Sequence, residues 1–368
     1  MSVKGKGIWI WKIPNCEGGN ANSIASVAAS AGFSHVLIKI ADANSAYNVD
    51  KTTGKDLIPA VVDAIRAKGL QVWGWHYVYG YNPSGEASIA ISQVKKYNLD
   101  GYVVDAEIEY QQTGREAVAR SFMSAVRSGL PNTPIALSTY RWPSYHKTFP
   151  YVAFLEKCDY NMPQVYWMQA HNPAYDLTKS YNEFKAMTPY RPLIPTGAAF
   201  SESGWTPTAD DLKVFSDTAK SLGLSGCNYY SWDDCRGPLP SLWSTIVNYS
   251  WPGDISVPVP TDILDKYIYA LNNRSYDMFL DIYATNAVLV TAEKTIQGNS
   301  AIRTNYGALL TNMLNDGVFK ITSVTTSDNT RHFTWTADSW RGKVTDGSDT
   351  IGLQDGKIVY HYSHYTIT

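Results

Sequence analysis

Two carboxylates, Asp105 and Glu107, stand two residues apart just after the apolar run Tyr102-Val103-Val104. In an extended chain, residues two apart point to the same face, with Cα atoms about 6.5 Å from each other. Two like charges held that close among aromatic side chains repel one another and lose water, and both effects raise a carboxyl pKa. A carboxyl kept protonated near neutral pH can serve as a general acid, which is what cleavage of a glycosidic bond requires. The alternative reading is a solvated Asp-x-Glu at the end of a strand. Aromatic composition points the same way as the acid pair. The chain is 13% aromatic, with 26 Tyr and 12 Trp against 10 Phe. Tyr and Trp join a flat apolar face to a polar edge, which suits sugars, although a Tyr-rich core would give the same count.

An acid pair of this kind needs rigid elements to present it. Over the first 250 residues, short apolar runs alternate with amphipathic stretches. The pattern predicts strands at Gly7–Trp11, His35–Ile40, Gln71–Tyr77, Gly101–Ala106, Pro134–Ser138, Tyr160–Tyr166, Leu193–Gly197 and Gly226–Ser231. Helical periodicity lies between them, for example over Leu57–Lys68, Glu86–Lys96, Arg115–Ser128 and Asp210–Leu222. Eight right-handed βα units over about 250 residues predict a (β/α)₈ TIM barrel. An open doubly wound sheet is the runner-up, but its Gly-rich phosphate loop is missing after the first strand.

In such a barrel, chemistry sits at the C-terminal ends of the strands. The polar and aromatic residues that fall there are Lys39 and Asp42, Trp75 and His76, Asp105 and Glu107, Tyr140 and Trp142, then Gln164, Tyr166 and Trp167, and last Trp232, Asp233 and Asp234. Sugar stacking is an open reading for Trp75, Trp142, Trp167 and Trp232, with packing as its rival. The seven His are scattered and the four Cys match no zinc spacing, so no metal and no cofactor are expected. The four Cys read as free buried thiols.

Residues 251–261 are Pro-rich, and three of the ten residues from Trp251 to Pro260 are proline. They read as an extended linker between a barrel at 1–250 and a smaller α+β domain at 262–368. In the second domain, Asp262–Tyr283 and Ser300–Leu314 read as helices. The runs Phe319–Thr325, His332–Asp338, Ser348–Leu353 and Lys357–Tyr365 read as an antiparallel sheet, and Asp355-Gly356 marks a hairpin turn. On the last strand, Tyr360, His361, Tyr362 and His364 read as sheet-surface residues.

A net charge of −2 argues against a nucleic-acid partner. No run of 18 apolar residues predicts a membrane span. The N-terminal residues lack the apolar segment of a signal peptide, so localisation stays open, with extracellular or cell-wall-directed action expected from the chemistry.

Several of these motifs resemble glycoside hydrolase family 25, the lysozyme or muramidase type. They are Gly7-Ile8, Ile38-Lys39-Ile40-Ala41-Asp42, Gly74-Trp75-His76-Tyr77, Val103-Val104-Asp105-Ala106-Glu107 and Pro163-Gln164-Val165-Tyr166. The resemblance covers most of residues 7–235. It implies a polysaccharide substrate, peptidoglycan or a related N-acetylated glycan, with Glu107 as general acid. It places Asp105 against the substrate's 2-acetamido group or the reaction intermediate, Asp42 as a strand-2 acid and His76 at a strand-3 structural or subsite position. The family's strand-1 Asp falls on Trp9 and its strand-8 acid on Asn228, with Asp233 and Asp234 slightly later. The remaining set fits a substrate-assisted reaction in which Tyr166 holds the acetamido carbonyl, as in chitinase-like family 18 barrels. A non-catalytic glycan-binding barrel, or a glycosidase of other specificity, is the alternative. Tyr283–Leu289, Gln297–Arg303, Gly347-Ser348-Asp349 and Asp355–Val359 resemble the nuclear transport factor 2-like (SnoaL-like) cone. That resemblance implies a binding or dimerisation module and a possible route to a homodimer, with Asn286 where the fold usually has Asp.

Overall fold

The structure is a computed structural model, which describes residues 3–251, 262–314, 317–339 and 342–368. The first unit is a barrel of eight parallel strands. These are β1 (Gly5–Ile10), β2 (His35–Asp42), β3 (Gln71–Val78), β4 (Gly101–Ala106), β5 (Ile135–Ser138), β6 in two pieces (Tyr160–Asn161 and Gln164–Val165), β7 (Thr196–Ala198) and β8 (Gly226–Tyr230). β1 pairs with β2 on one side and with β8 on the other. Closure happens at β6. Its first piece pairs with β5 and its second with β7. Backbone bonds from Gln164 N to Thr139 O and from Ile194 N to Asn161 O tie each piece to the opposite neighbour as well. Pro163, which has no N–H to donate, separates the two pieces.

Strand alternation sorts the side chains into two cores. Ile8, Ile10, Val36, Ile38, Val72 and Val104 face outward against the helices. Trp9, Leu37, Trp73, Trp75, Val103, Ala136, Met162 and Ile194 fill the barrel interior. Below that layer, Nε2 of His35 meets Oδ1 of Asn228 at 2.7 Å. Gly7 makes room for this pair, since a Cβ there would lie 2.1 Å from the imidazole and 2.3 Å from the amide oxygen. The helices of this unit include α1 (Ala21–Ser30), α2 (Ile58–Ala67), α3 (Pro83–Lys96), α4 (Arg115–Gly129), α5 (Tyr151–Leu155), α6 (Pro173–Lys185), α7 (Ala209–Ser221), α8 (Trp232–Cys235) and α9 (Pro240–Asn248). No helix among the described residues is long and apolar enough to cross a membrane. All four Cys are free and buried.

The second unit packs α10 (Ile263–Asn273), α11 (Met278–Ile282) and α12 (Asn299–Asn312) with a six-stranded sheet. Its strands are β9 (Tyr283–Val290), β10 (Thr295–Gln297), β11 (Val318–Ser327), β12 (Thr330–Ser339), β13 (Gly342–Gln354) and β14 (Lys357–His364), in the order β10-β9-β14-β13-β12-β11. The single helix expected over Asp262–Tyr283 is instead two. Arg274 adopts φ +54 between them, and its buried guanidinium donates to the carbonyls of Leu271, Asn272, Leu314 and Gly317. The sheet is not wholly antiparallel, because β9 runs parallel to β14. Asp355 and Gly356, both at positive φ, form the expected hairpin turn. Tyr360, Tyr362 and His364 are exposed, but His361 is fully buried rather than on the sheet surface. Its imidazole lies between Asp349 Oδ2 at 2.9 Å and the Tyr283 hydroxyl at 2.5 Å. The linker expected at 251–261 falls, apart from Trp251, outside the described residues.

The two units touch where the barrel strands begin. Tyr269 OH donates to Ser30 O, and Ser275 Oγ donates to Asn248 Oδ1. At that same end the buried ammonium of Lys6 donates to the carbonyls of Ala31, Ile246, Val247 and Tyr249 at 2.7–3.2 Å. This one cation caps the last turn of α9 and ties it to β1 and α1. Replacing it leaves four carbonyls short of a donor in a dry setting. Lys6→Met is expected to lower the unfolding free energy by about 3 kcal/mol, read from urea midpoints. An unchanged midpoint would show that the carbonyls find other partners.

Candidate active site

The upper layer of inward-facing residues opens into a pocket of about 530 Å³ at the C-terminal ends of the strands. Alternation explains its content. Trp9 and Trp11, Trp75 and Tyr77, Asp105 and Glu107 are pairs two apart, and each pair lines the pocket. Lys39, Ser138, Gln164, Tyr166, Phe200, Glu202, Tyr230 and Asp234 complete much of the wall.

The centre is the side-chain amide of Gln164. Its Nε2 donates to Asp105 Oδ1 at 3.0 Å and to Glu107 Oε1 at 2.8 Å. The two carboxylate oxygens therefore lie within about 6 Å of each other, inside the range where like charges perturb one another. Ser138 Oγ donates a further bond to Asp105 at 3.0 Å. Burial pushes the Asp105 carboxyl well above the usual carboxylate range, and the Glu107 charge pushes it further. The bonds from Ser138 and Gln164 and the charge of Lys39 act against that rise without reversing it. Glu107 is also raised, first by burial, with the Gln164 amide opposing. The pair titrates as a unit, so a proton is retained on it above the pH at which ordinary carboxyls have lost theirs.

The neighbouring groups are held in place. Lys39 Nζ bonds Asp42 Oδ2 at 2.5 Å and sits 4.8 Å from the Trp75 ring centre. Trp75 Nε1 donates to Ile10 O, which fixes the indole in the pocket floor beside Trp9. Tyr166 stands edge-on to Phe200, and its hydroxyl makes no hydrogen bond among the described residues. Across the pocket, Asp234 accepts from Ser231 Oγ at 2.6 Å.

Of the residues singled out in the sequence, Asp105, Glu107, Tyr166, Trp75 and Gln164 meet in this pocket, and Asp42 stands beside it through Lys39. Trp9, Lys39 and Asp234 line it too, and the others are elsewhere. His76 faces the outer core, between Tyr102 OH and Ala43 O, and burial lowers its pKa to about 4. Trp167 packs on Phe215, and Trp232 packs on Phe33 and Trp243. Both are fully buried on the helix side of the sheet, so neither presents a face to a sugar. Trp142 donates to Asp176 O, and Tyr140 stacks on His146, both outside the pocket wall. Asp233 accepts the backbone N–H groups of Trp11 and Lys12, so it holds the loop after β1 rather than reaching across the barrel. Burial raises its pKa to about 6. Sequence reasoning gave no role to the wall residues Trp11, Tyr77, Ser138 and Phe200, although Tyr77 and Ser138 stand at predicted strand ends. The signal for the first three was strand parity, since each continues an inward-facing series. No group of His, Cys, Asp and Glu suited to a metal ion occurs among the described residues.

Comparison with known proteins adds the following. Residues 264–361 match the model of the SnoaL-like domain. No curated protein matches the chain. Among solved structures, an NTF2-like protein of unknown function from Cytophaga hutchinsonii is 12% identical, over 28% of this chain and 87% of that one, with a TM-score of 0.25. A de novo designed protein with a curved β-sheet is 12% identical, over 28% of this chain and 82% of its own, with a TM-score of 0.26. A chitinase from Chromobacterium violaceum is 10% identical, over 66% of this chain and 98% of that one, with a TM-score of 0.48. At these identities and scores the solved structures assign no chemistry to the pocket.

Because both carboxyls are raised, the folded protein keeps a proton that the unfolded chain has released. Stability therefore falls as pH climbs from the ordinary carboxylate range through the raised values. Asp105→Asn removes one charge and keeps an oxygen to accept from Ser138 and Gln164. It is expected to raise the urea midpoint at about pH 7.5, by ~1 kcal/mol or more in unfolding free energy, and to do so less at about pH 4.5. An equal shift at both pH values would mean that no charge penalty is carried by the pair.

Proposed function

We propose that the barrel is a glycoside hydrolase acting on β-linked N-acetylated glycans, with peptidoglycan the first substrate to test. The observation that carries the reading is the Asp105–Gln164–Glu107 arrangement, a raised acid pair on an aromatic floor in an open pocket. The motif order shared with family 25 hydrolases supports it. In this reaction the substrate lies over Trp9 and Trp75. Glu107 gives its proton to the leaving glycosidic oxygen as the bond from that oxygen to the anomeric carbon breaks. The acetamido carbonyl oxygen of the same sugar bonds to the anomeric carbon, while Asp105 accepts from the acetamido N–H. Tyr166 OH, which has no hydrogen-bond partner among the described residues, donates to the carbonyl oxygen. Water then opens the cyclic intermediate, and its proton returns to Glu107, so configuration is retained. Trp9, an apolar side chain where the family carries an acid, is compatible with this route because the substrate supplies the nucleophile. The SnoaL-like domain we read as a binding or dimerisation module.

One observation favours a second reading, a barrel that binds glycans without cleaving them. The Gln164 amide donates to Glu107 and stabilises its charged form, which opposes the acid role. One experiment separates the two. Wild type is expected to clear suspended cell walls and to release reducing ends, and Glu107→Gln to lose about 10²- to 10⁴-fold in rate. Walls that are bound without release of reducing ends support the second reading. Neither binding nor release, on peptidoglycan or on chitin oligomers, would rule out both.

A further inference from the structure

From the pocket, three tyrosines lead outward. Tyr77 lines the pocket, and its ring lies 5.0 Å from that of Tyr79. The Tyr79 ring lies 6.1 Å from that of Tyr81 and is stacked on it at 24°. Tyr81 is 68% exposed, one of the most exposed aromatic side chains in the protein. An exposed aromatic ring on a loop is ordinarily mobile, but this one is fixed from beneath and behind. The Arg115 guanidinium sits 4.9 Å from its centre and donates to Gly80 O at 2.6 Å. The buried carboxylate of Glu86 accepts the backbone N–H groups of Tyr79 and Gly80 at 3.0–3.1 Å. Gly80 itself lies at φ +69, with Tyr110 so close that a Cβ would stand 2.9 Å from its ring. The turn is thus locked by a buried acid and by a backbone position suited to glycine.

The edges of the ladder are polar. Tyr77 OH donates to Glu109 at 3.1 Å and Tyr79 OH donates to Asp42 at 3.2 Å. Flat faces bordered by carboxylate acceptors are what a run of sugar rings needs, with CH faces on the aromatics and hydroxyls on the acids. Because the rings are held before any ligand arrives, little ordering remains to oppose binding.

We infer that Tyr77, Tyr79 and Tyr81 form a run of subsites for the glycan chain as it leaves the pocket, so that the enzyme engages a polymer rather than a terminal sugar. This rests on the glycan-hydrolase reading of the pocket and extends it to chain length. The ladder is continuous with the pocket wall, and its occupant is the substrate's own continuation.

The test uses the full chain in a Glu107→Gln background, with the hexamer and the dimer of β-1,4-linked N-acetylglucosamine as calorimetric probes. Adding Tyr81→Ala is expected to weaken the hexamer about 3- to 10-fold and to leave the dimer unchanged. Tyr81→Trp is expected to retain hexamer affinity. In the active enzyme, Tyr81→Ala should raise KM for polymeric substrate with kcat unchanged. Equal hexamer affinity with and without the Tyr81 ring would overturn the inference and leave the pocket reading standing. Equal weakening of hexamer and dimer would overturn it too, since the ring would then act through the pocket. Failure of the Glu107→Gln parent to bind either oligomer or sedimented peptidoglycan would overturn both readings together.

Discussion

One strand carries both the closure of the barrel and the centre of its pocket. β6 must satisfy β5 on one side and β7 on the other, and it does so in two pieces separated by Pro163. The residue just after that break is Gln164, whose amide stands between Asp105 and Glu107. An amide nitrogen has two hydrogens and no charge, so it can serve two carboxylates without neutralising either. A lysine there would lower both pKa values, and an apolar residue would take from Glu107 its amide donor and leave Asp105 with Ser138. The choice of Gln keeps the pair together and keeps it raised. Register matters as much as residue type, because a shift of one residue in β6 would turn this amide toward the helices.

The same alternation decides how much of the site was legible in the sequence. Asp105 and Glu107 could be read because they follow an apolar strand and share its inward face. Gln164 and Tyr166 are two apart for the same reason. Trp167, Trp232 and the subsite reading of His76 were misplaced because proximity to a strand end was counted and parity was not. His76 alternates with Trp75 and Tyr77, so it faces the helices. Trp167 and Trp232 lie beyond their strands, where the chain has already turned to the outer layer. Asp233 and Asp234 show the limit of parity. They are adjacent in a short helical turn, and only three-dimensional placement tells that one holds the β1 loop and the other lines the pocket.

In the second unit, the element types were legible but the interior was not. The His361 position on an alternating strand gave two candidate faces, and nothing in the local sequence says which face the helices cover. The covered face holds a chain of polar contacts, Asp349 to His361 to Tyr283, while Tyr306 and Tyr267 join at 2.9 Å. Ser363 Oγ and Trp335 Nε1 both donate to the second oxygen of Asp349. A buried carboxylate with this many donors is affordable only as a set, since removing one partner strands the rest. The described interior thus sets aromatic rings and their hydrogen bonds among aliphatic side chains such as Leu271, Ile302 and Ile351.

The placement of that unit bears on how the chain could meet a polymer. Its hydrogen bonds from Tyr269 and Ser275 reach the barrel at the ends of α1 and α9, where the Lys6 ammonium gathers four carbonyls, and Tyr276, Asp277 and Arg303 face α7 and α9 across a shared cleft. In a βα barrel those helix ends lie beside the beginnings of the strands, on the face opposite the pocket. A second unit attached there leaves the pocket and the tyrosine ladder uncovered. It also leaves its own exposed sheet residues, Tyr360 and Tyr362 among them, directed to solvent rather than to the barrel core. The strand starts are closed by the His35–Asn228 pair packed over Gly7, so a packed floor separates them from Asp105 and Glu107.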